Sequence, residues 1–92
     1  MSQGTSQEEL LAFPCHFEFK AFGPGDDDET FLNKVLEAIS TVVPVSRQAA
    51  KSRPSSAGKY QCVSALVTVQ NRSQLNAVYT ALRKIDDLKY LL

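Results

Sequence analysis

FPCHFEFKAF, residues 13 to 22, is the stretch that decides the fold. Its apolar side chains fall on alternate positions, which are Phe13, Cys15, Phe17, Phe19 and Ala21. His16, Glu18 and Lys20 lie between them. A period of two over this length predicts a half-buried strand. The Gly-Pro-Gly sequence at 23–25 is predicted to end it.

A helical period follows this strand. In FLNKVLEAISTVV the apolar residues form one stripe, made of Phe31, Leu32, Val35, Leu36, Ile39 and Val43. The acidic residues 26–29 precede the stripe, where they suit the capping position and the positive end of a helix dipole. The sequence therefore predicts a helix over 29–43, closed by Pro44.

The second half of the chain repeats this order. YQCVSALVTV, residues 60–69, alternates and predicts a second long strand. A helix is predicted over 72–84, with Asn71 as its N-cap and Gln74 three residues on. VSRQAAKSR at 45–53 is predicted as an edge strand whose charges discourage further pairing. DLKYLL at 87–92 is predicted as a short final strand.

The resulting order is β-α-β-β-α-β, which predicts an α+β, ferredoxin-like fold. Its four antiparallel strands would lie in the order 4-1-3-2, with both helices on one face. Residues 1–9 are rich in Ser, Gln and Glu and are predicted to form a flexible tail. Residues 10–92 are predicted to form a single domain.

Composition narrows the function. The 92 residues include ten basic and ten acidic side chains, and this balance disfavours a nucleic-acid binder without excluding a local basic patch. The sequence shows neither a signal peptide nor an apolar stretch long enough for a membrane helix, so we expect a cytoplasmic protein. One histidine and two cysteines give no metal-ligand spacing, and no cofactor is expected.

The stretch SRPSSAGKYQCV, residues 52–63, raises the question of a phosphate-binding loop. A P-loop needs glycine five residues before Gly58 and a hydroxyl residue after Lys59, but Arg53 and Tyr60 occupy these positions. The stretch also leads from a turn into a strand. It is predicted to be a hairpin turn in which Gly58 supplies a positive φ.

Two other patterns suggest chemistry. His16 and Cys62 share the outer face of neighbouring strands by parity, so a nucleophile pair is conceivable, but nothing supplies a third orienting group. Cys15 is predicted to face the helices, which separates it from Cys62. An RNA-recognition module has this topology too, but only Tyr60 is predicted to lie on the outer face for stacking.

Charge is distributed unevenly along the chain. Residues 1–37 carry eight acidic and two basic side chains, whereas residues 38–85 carry seven basic side chains and no acidic one. Because the first two strands are parallel in this topology, the acidic loop and the basic hairpin are predicted to lie at the same end of the sheet. The predicted partner-binding residues are Arg47, Lys51, Arg53, Lys59 and Tyr60.

Three stretches carry a family resemblance: ELLAFP at 9–14, PSSAGKY at 54–60, and the end from Tyr79 to Leu92. With them the chain resembles the YbeD-like family of small uncharacterised bacterial proteins. The resemblance implies a ferredoxin-like fold close to ACT regulatory domains and a link to lipoate metabolism. ACT domains bind effectors near the loop after the first strand, commonly at a dimer interface. By this likeness the ligand-binding residues would be Gly23, Gly25, Asp26 and Asp27, and a homodimer would be one form of the protein.

We therefore expect a non-catalytic regulatory or binding module for a small carboxylate-bearing effector or a protein partner. Two alternatives stay open. One is an RNA-binding module of the same topology, and the other is a protein-interaction adaptor without a small ligand.

Overall fold

The order of elements along the chain is the predicted one. The computed structural model describes residues 12–25, 29–55 and 58–92. These ranges form strands β1 (Cys15–Pro24), β2 (Ala50–Pro54), β3 (Tyr60–Val69) and β4 (Tyr90–Leu91), and helices α1 (Thr30–Ser40) and α2 (Arg72–Arg83). The strands pair antiparallel in the order β2-β3-β1-β4, which is the predicted order counted from the other edge. The predicted tail, residues 1–9, lies outside the described residues.

One face of the sheet is packed beneath both helices. Successive strand residues point to opposite faces, and the buried hydrophobic residues of the strands are Phe19, Ala21, Val63, Ala65, Val67 and Val69. The helices cover them with two apolar stripes, Phe31, Leu32, Val35 and Ile39 from α1 and Leu75, Val78 and Leu82 from α2. Phe19 also packs edge-on against Tyr79, with ring centroids 5.0 Å apart. The prediction that both helices lie on one face of the sheet is confirmed, and the opposite face is left open.

The Gly-Pro-Gly stretch ends β1 as predicted, because the strand continues through Gly23 and stops at Pro24. Pro24 lies opposite Tyr60, and the N–H of Gly25 donates to the carbonyl of Lys59 at 2.9 Å. Because hydrogen-bonded and non-bonded pairs alternate in an antiparallel ladder, the nitrogen of Pro24 points away from β3. Proline therefore removes no bond from the β1–β3 ladder.

The two helices begin differently. Asn71 caps α2, accepting a hydrogen bond from the N–H of Gln74 at 2.9 Å, while the Gln74 side chain accepts from the N–H of Gln70 at 2.8 Å. The predicted N-cap is confirmed. At α1 the N-cap position is held by Glu29, which makes no side-chain cap bond and pairs with Arg47. The predicted capping by residues 26–28 lies outside the described residues.

Two weaker elements are shorter than predicted. α1 ends at Ser40 because the hydroxyl and the N–H of Thr41 both bond to the carbonyl of Ala38, at 2.7 and 3.3 Å, which tightens the chain into a turn. The segment 45–53 opens with a 3₁₀ turn, Arg47–Ala49, and becomes a strand at Ala50. It lies at the edge of the sheet, as predicted.

A hairpin and a buried amide fix the end of the sheet where β1, β2 and β3 meet. Gly58 has φ +74°, and the N–H of Ser55 donates to the carbonyl of Tyr60 at 2.8 Å, so the predicted turn is confirmed. Gln61 is 6% exposed. Its amide nitrogen donates to the carbonyl of Pro24 at 2.6 Å, and its oxygen accepts from the Ser52 hydroxyl. Because the nitrogen and the oxygen of the amide are both bonded, the buried side chain of Gln61 links β3 to β1 and to β2.

Within residues 12–25, 29–55 and 58–92, neither α1 nor α2 is long and apolar enough to cross a bilayer.

Candidate functional site

The face of the sheet opposite the helices, called the open face below, carries a mixture of basic and aromatic side chains. Residues opposite each other in a ladder project from the same face, which assigns this face from the strand register. Its members are His16, Glu18, Lys20, Phe22, Lys51, Arg53, Tyr60, Cys62, Ser64, Leu66, Thr68, Tyr90 and Leu92.

Three cations converge near the middle of the open face. Ser64 lies opposite Lys20 on one side and Lys51 on the other, and Arg53 lies opposite Cys62. Neighbouring strands are about 4.8 Å apart, so the two lysine backbones are separated by about 10 Å. With Glu18, these residues line a depression of about 260 Å³, called the basic depression below.

The basic depression has a positive local charge although the chain as a whole is neutral. Glu18 is the acidic residue among those lining it, and its carboxylate lies 4.0 Å from the Lys20 amine with both side chains about half exposed. An exposed pair at this distance contributes little. The hydroxyl of Ser64 lies 3.9 Å from the thiol of Cys62 on the floor of the depression. These groups suit an anion that accepts hydrogen bonds.

One end of the open face is aromatic. Phe22 and Tyr90 lie opposite each other with ring centroids 6.0 Å apart. Tyr60 lies nearby, opposite Pro24, and the Lys89 amine stands 5.7 Å from the centre of its ring. Tyr90 is 60% exposed and Tyr60 43% exposed. This group, called the aromatic end below, adjoins the basic depression because Phe22 and Arg53 flank Cys62 in one row across the sheet.

Most of the aromatic end was not predicted from the sequence. Only Tyr60 was predicted to lie on the outer face for stacking, and the structure adds Phe22 and Tyr90. Phe22 shares the parity of Lys20, so extending the alternation past Ala21 would have found it. Tyr90 carried no such signal, because β4 has only two residues and its register depends on pairing with β1.

The glycines predicted to bind a ligand have packing roles in the structure. Gly23 is buried, and a side chain there would collide with the ring of Phe31. A β-carbon on Gly25 would lie 2.8 Å from the carbonyl oxygen of Gly58. The N–H of Gly25 is bonded to Lys59, so it does not point to a ligand. Asp26 and Asp27, predicted with these glycines, lie outside the described residues.

The five predicted partner-binding residues lie in two separate places in the structure. Lys51, Arg53 and Tyr60 share the open face, and Lys59 is exposed beside them in the hairpin. Arg47 lies elsewhere, bonded to the side chains of Asn33, at 2.9 Å, and Glu29. The bond between Gly25 and Lys59 confirms that the loop after β1 and the hairpin meet at one end of the sheet.

His16 and Cys62 are too far apart to act as a nucleophile pair. His16 lies opposite Thr68, with its Nδ1 2.9 Å from the threonine hydroxyl, whereas Cys62 lies opposite Phe22. Six positions along a strand correspond to about 20 Å. Among the described residues, His, Cys, Asp and Glu side chains also form no group of three that could hold a metal ion.

A second groove of about 370 Å³ lies between the helices and is lined in part by Lys34, Glu37, Lys84 and Asp86. Its charges are mixed in sign, and Lys34 is bonded at 2.6 Å to Asp87. The open face is the stronger candidate site because its cations outnumber its acidic groups.

Two helices over a four-stranded antiparallel sheet with one open face define a small α+β fold. The family model described as "Protein of unknown function (DUF493)" matches residues 8–92, and the chain belongs to this family. Relatives include a UPF0250 protein of Idiomarina loihiensis, 33% identical over 98% of this chain and 99% of that protein, and one of Shewanella sediminis, 36% identical over 96% and 97%. The predicted membership in a family of small uncharacterised bacterial proteins is confirmed.

The fold also matches a solved structure. The solution structure of protein HP0495 from H. pylori has a TM-score of 0.73 to this chain, at 16% identity, over 100% of this chain and 96% of that one. This likeness is one of fold, and it confirms the predicted architecture.

Proposed function

We propose that this chain is a non-catalytic binding module of the cytoplasm that holds a small carboxylate-bearing ligand on the open face of its sheet. The observation that carries the proposal is the convergence of Lys20, Lys51 and Arg53 around Ser64. A guanidinium can bind both oxygens of a carboxylate, and the two ammonium groups add charge from either side. The ligand binds and leaves unchanged.

The neighbouring aromatic end favours a ligand with an apolar part. Phe22, Tyr90 and Leu92 lie on the side of the depression away from β2, so a carboxylate held by Arg53 would direct an apolar chain toward them. Binding sites commonly combine an apolar lining with a few polar groups that fix orientation. Lipoate and octanoate have this chemistry, which agrees with the link to lipoate metabolism that the YbeD-like resemblance implies.

The resemblance to ACT domains offers another position, the loop after β1. We favour the basic depression because the N–H of Gly25 is already bonded and Gly23 is buried under Phe31. Regulation would follow if the module, as a homodimer or with a protein partner, presented a different surface once the anion was bound. This role rests on a fold-level analogy.

Backbone amide shifts measured during titration with octanoate, lipoate and single amino acids test the proposal. We expect shifts at Lys20, Arg53 and Ser64 for the carboxylate, and at Phe22 and Tyr90 for the chain of octanoate or lipoate. The double variant Lys51→Gln/Arg53→Gln should lose them. Arg72→Gln, an exposed cation on α2, serves as the matched control.

The pattern of shifts distinguishes the alternatives. Shifts confined to residues 22–30 would place the effector in the loop after β1, as the ACT likeness implies. No shift with any small carboxylate, together with specific capture of a protein that is lost at raised salt, would replace the proposal by an adaptor that uses the basic residues.

A further inference from the structure

We infer that the open face binds single-stranded nucleic acid, with bases stacked on Tyr60 and Tyr90 and phosphates held by Lys20, Lys51 and Arg53. A nucleic acid differs from the small ligand proposed above because it needs the exposed rings of Tyr60 and Tyr90 for base stacking, in addition to the cations of the basic depression. Both lie on one continuous surface, since Tyr90, Phe22, Cys62 and Arg53 form a single row across all four strands.

The positive charge of this surface favours binding of a polyanion. The chain has ten basic and ten acidic residues, yet Lys20, Lys51 and Arg53 share the basic depression with one carboxylate, that of Glu18. Lys89 adds a further cation at the aromatic end, above the ring of Tyr60. Phosphate contacts of this kind supply most of the sequence-independent affinity for nucleic acid.

The exposed aromatic side chains favour single-stranded over double-stranded nucleic acid. Tyr60 and Tyr90 are 43% and 60% exposed, and Phe22 packs beside Tyr90. Unpaired bases stack on such rings, whereas bases in a duplex are already stacked on one another. An acidic peptide would be attracted by the same cations but would make no use of exposed rings. Nucleic acid is therefore the polyanion that engages both halves of the surface.

Fluorescence anisotropy of the full chain with labelled oligouridine and oligothymidine of about ten nucleotides, a typical site size for such surfaces, tests the inference. Tyr60→Leu and Tyr90→Leu should each weaken binding about fivefold or more, because stacking contributes about 1–3 kcal/mol per base. Tyr90→Phe keeps the ring and should bind normally. Circular dichroism confirms that each variant is folded.

The salt dependence of oligonucleotide binding tests the role of the cations. Lys51→Gln should reduce the slope of log K against log salt by about 0.7, the value for one phosphate contact with a single strand. Glu18→Gln should strengthen binding, because it removes the carboxylate from the depression. Arg72→Gln on α2 should leave both the affinity and the slope unchanged.

Three results would overturn the inference. They are no measurable binding of either oligonucleotide, equal binding of the Tyr→Leu variants and the parent, and equal competition by duplex DNA or polyglutamate. None of these results contradicts the proposed carboxylate site, because that site is tested separately by the amide shifts with octanoate. Tyr60→Leu changes no residue expected to contact octanoate, so it should retain those shifts while its oligonucleotide binding weakens.

Discussion

Replacing Gly23 with alanine should destabilise the fold, although alanine ordinarily stabilises a strand relative to glycine. A β-carbon on Gly23 would lie 2.6 Å from Cδ1 of Phe31 and closer still to two other ring carbons. Carbon atoms pack at about 3.5–4.0 Å, so the ring or the strand would have to move by about 1 Å. Gly23 is needed where β1 passes under the first turn of α1.

Neither partner can move freely. Phe31 is completely buried within the core. β1 is fixed at this point by the bond from Gly25 to Lys59 and by the amide of Gln61, which donates to Pro24. Overfilling a packed core costs about 1–3 kcal/mol, which outweighs the gain of about 0.5–1 kcal/mol expected from removing a strand glycine. A net loss of about 1–2 kcal/mol would lower Tm by about 4–16 °C in a domain of this size.

Urea unfolding followed by circular dichroism measures the loss, which should appear as a lower midpoint at an unchanged slope. Phe31→Leu removes the ring and should be destabilising by itself. Combined with Gly23→Ala it should cost less than the sum of the two single changes, with a coupling energy of at least about 0.5 kcal/mol. A Gly23→Ala protein as stable as the parent would refute the packing argument. If that protein also lost the octanoate shifts, Gly23 would belong to the ligand site, as the likeness to ACT domains implies.

Three further predictions follow from the geometry. Asn71→Ala should lower the free energy of unfolding by about 1 kcal/mol, because the N–H of Gln74 loses its acceptor, whereas Asn71→Asp should keep most of it. Mild oxidation should leave Cys15 and Cys62 unlinked, because they lie on opposite faces and far apart in register; a non-reducing mass two hydrogens lighter for the folded monomer would contradict this. Gly58→Ala should cost about 1–2 kcal/mol from its positive φ alone, since the space around it is open, and equal stability of this variant in urea would count against the turn.

The spacing of apolar residues predicted the strands and helices of this fold, because an element that is buried on one side repeats apolar residues at its own structural period. Val63, Ala65, Val67 and Val69 alternate since a single face of β3 meets the helices, and the two helical stripes follow for the same reason. The strand order then followed from chain connectivity, since few arrangements allow right-handed crossovers. The ends of elements were less predictable, because they depend on single hydrogen bonds. The hydroxyl of Thr41 ends α1, and the direction of the Pro24 nitrogen lets β1 continue.

The candidate site could be predicted only in part, because it is assembled across strands and not along the chain. The sequence grouped basic residues by their order in the chain, which joined Arg47 to Lys51 and Arg53. The register separates Arg47, which is bonded to Glu29 and Asn33, and brings in Lys20 from β1. Knowing that two strands are neighbours does not fix which residues lie opposite each other.

A shift of one residue in the β1–β3 register shows how much depends on that pairing. It would move every side chain of one strand to the other face, so Lys20 would point into the core and Phe19 out to solvent. The buried positions of Phe19 and Ala21 oppose this shift, as does the amide of Gln61, which bonds to Pro24 only in the observed register. The residues that hold the core in place therefore also bring Lys20, Ser64 and Lys51 into one row. Weakening the Gln61 bond should accordingly disturb binding on the open face even though Gln61 itself points to the other side.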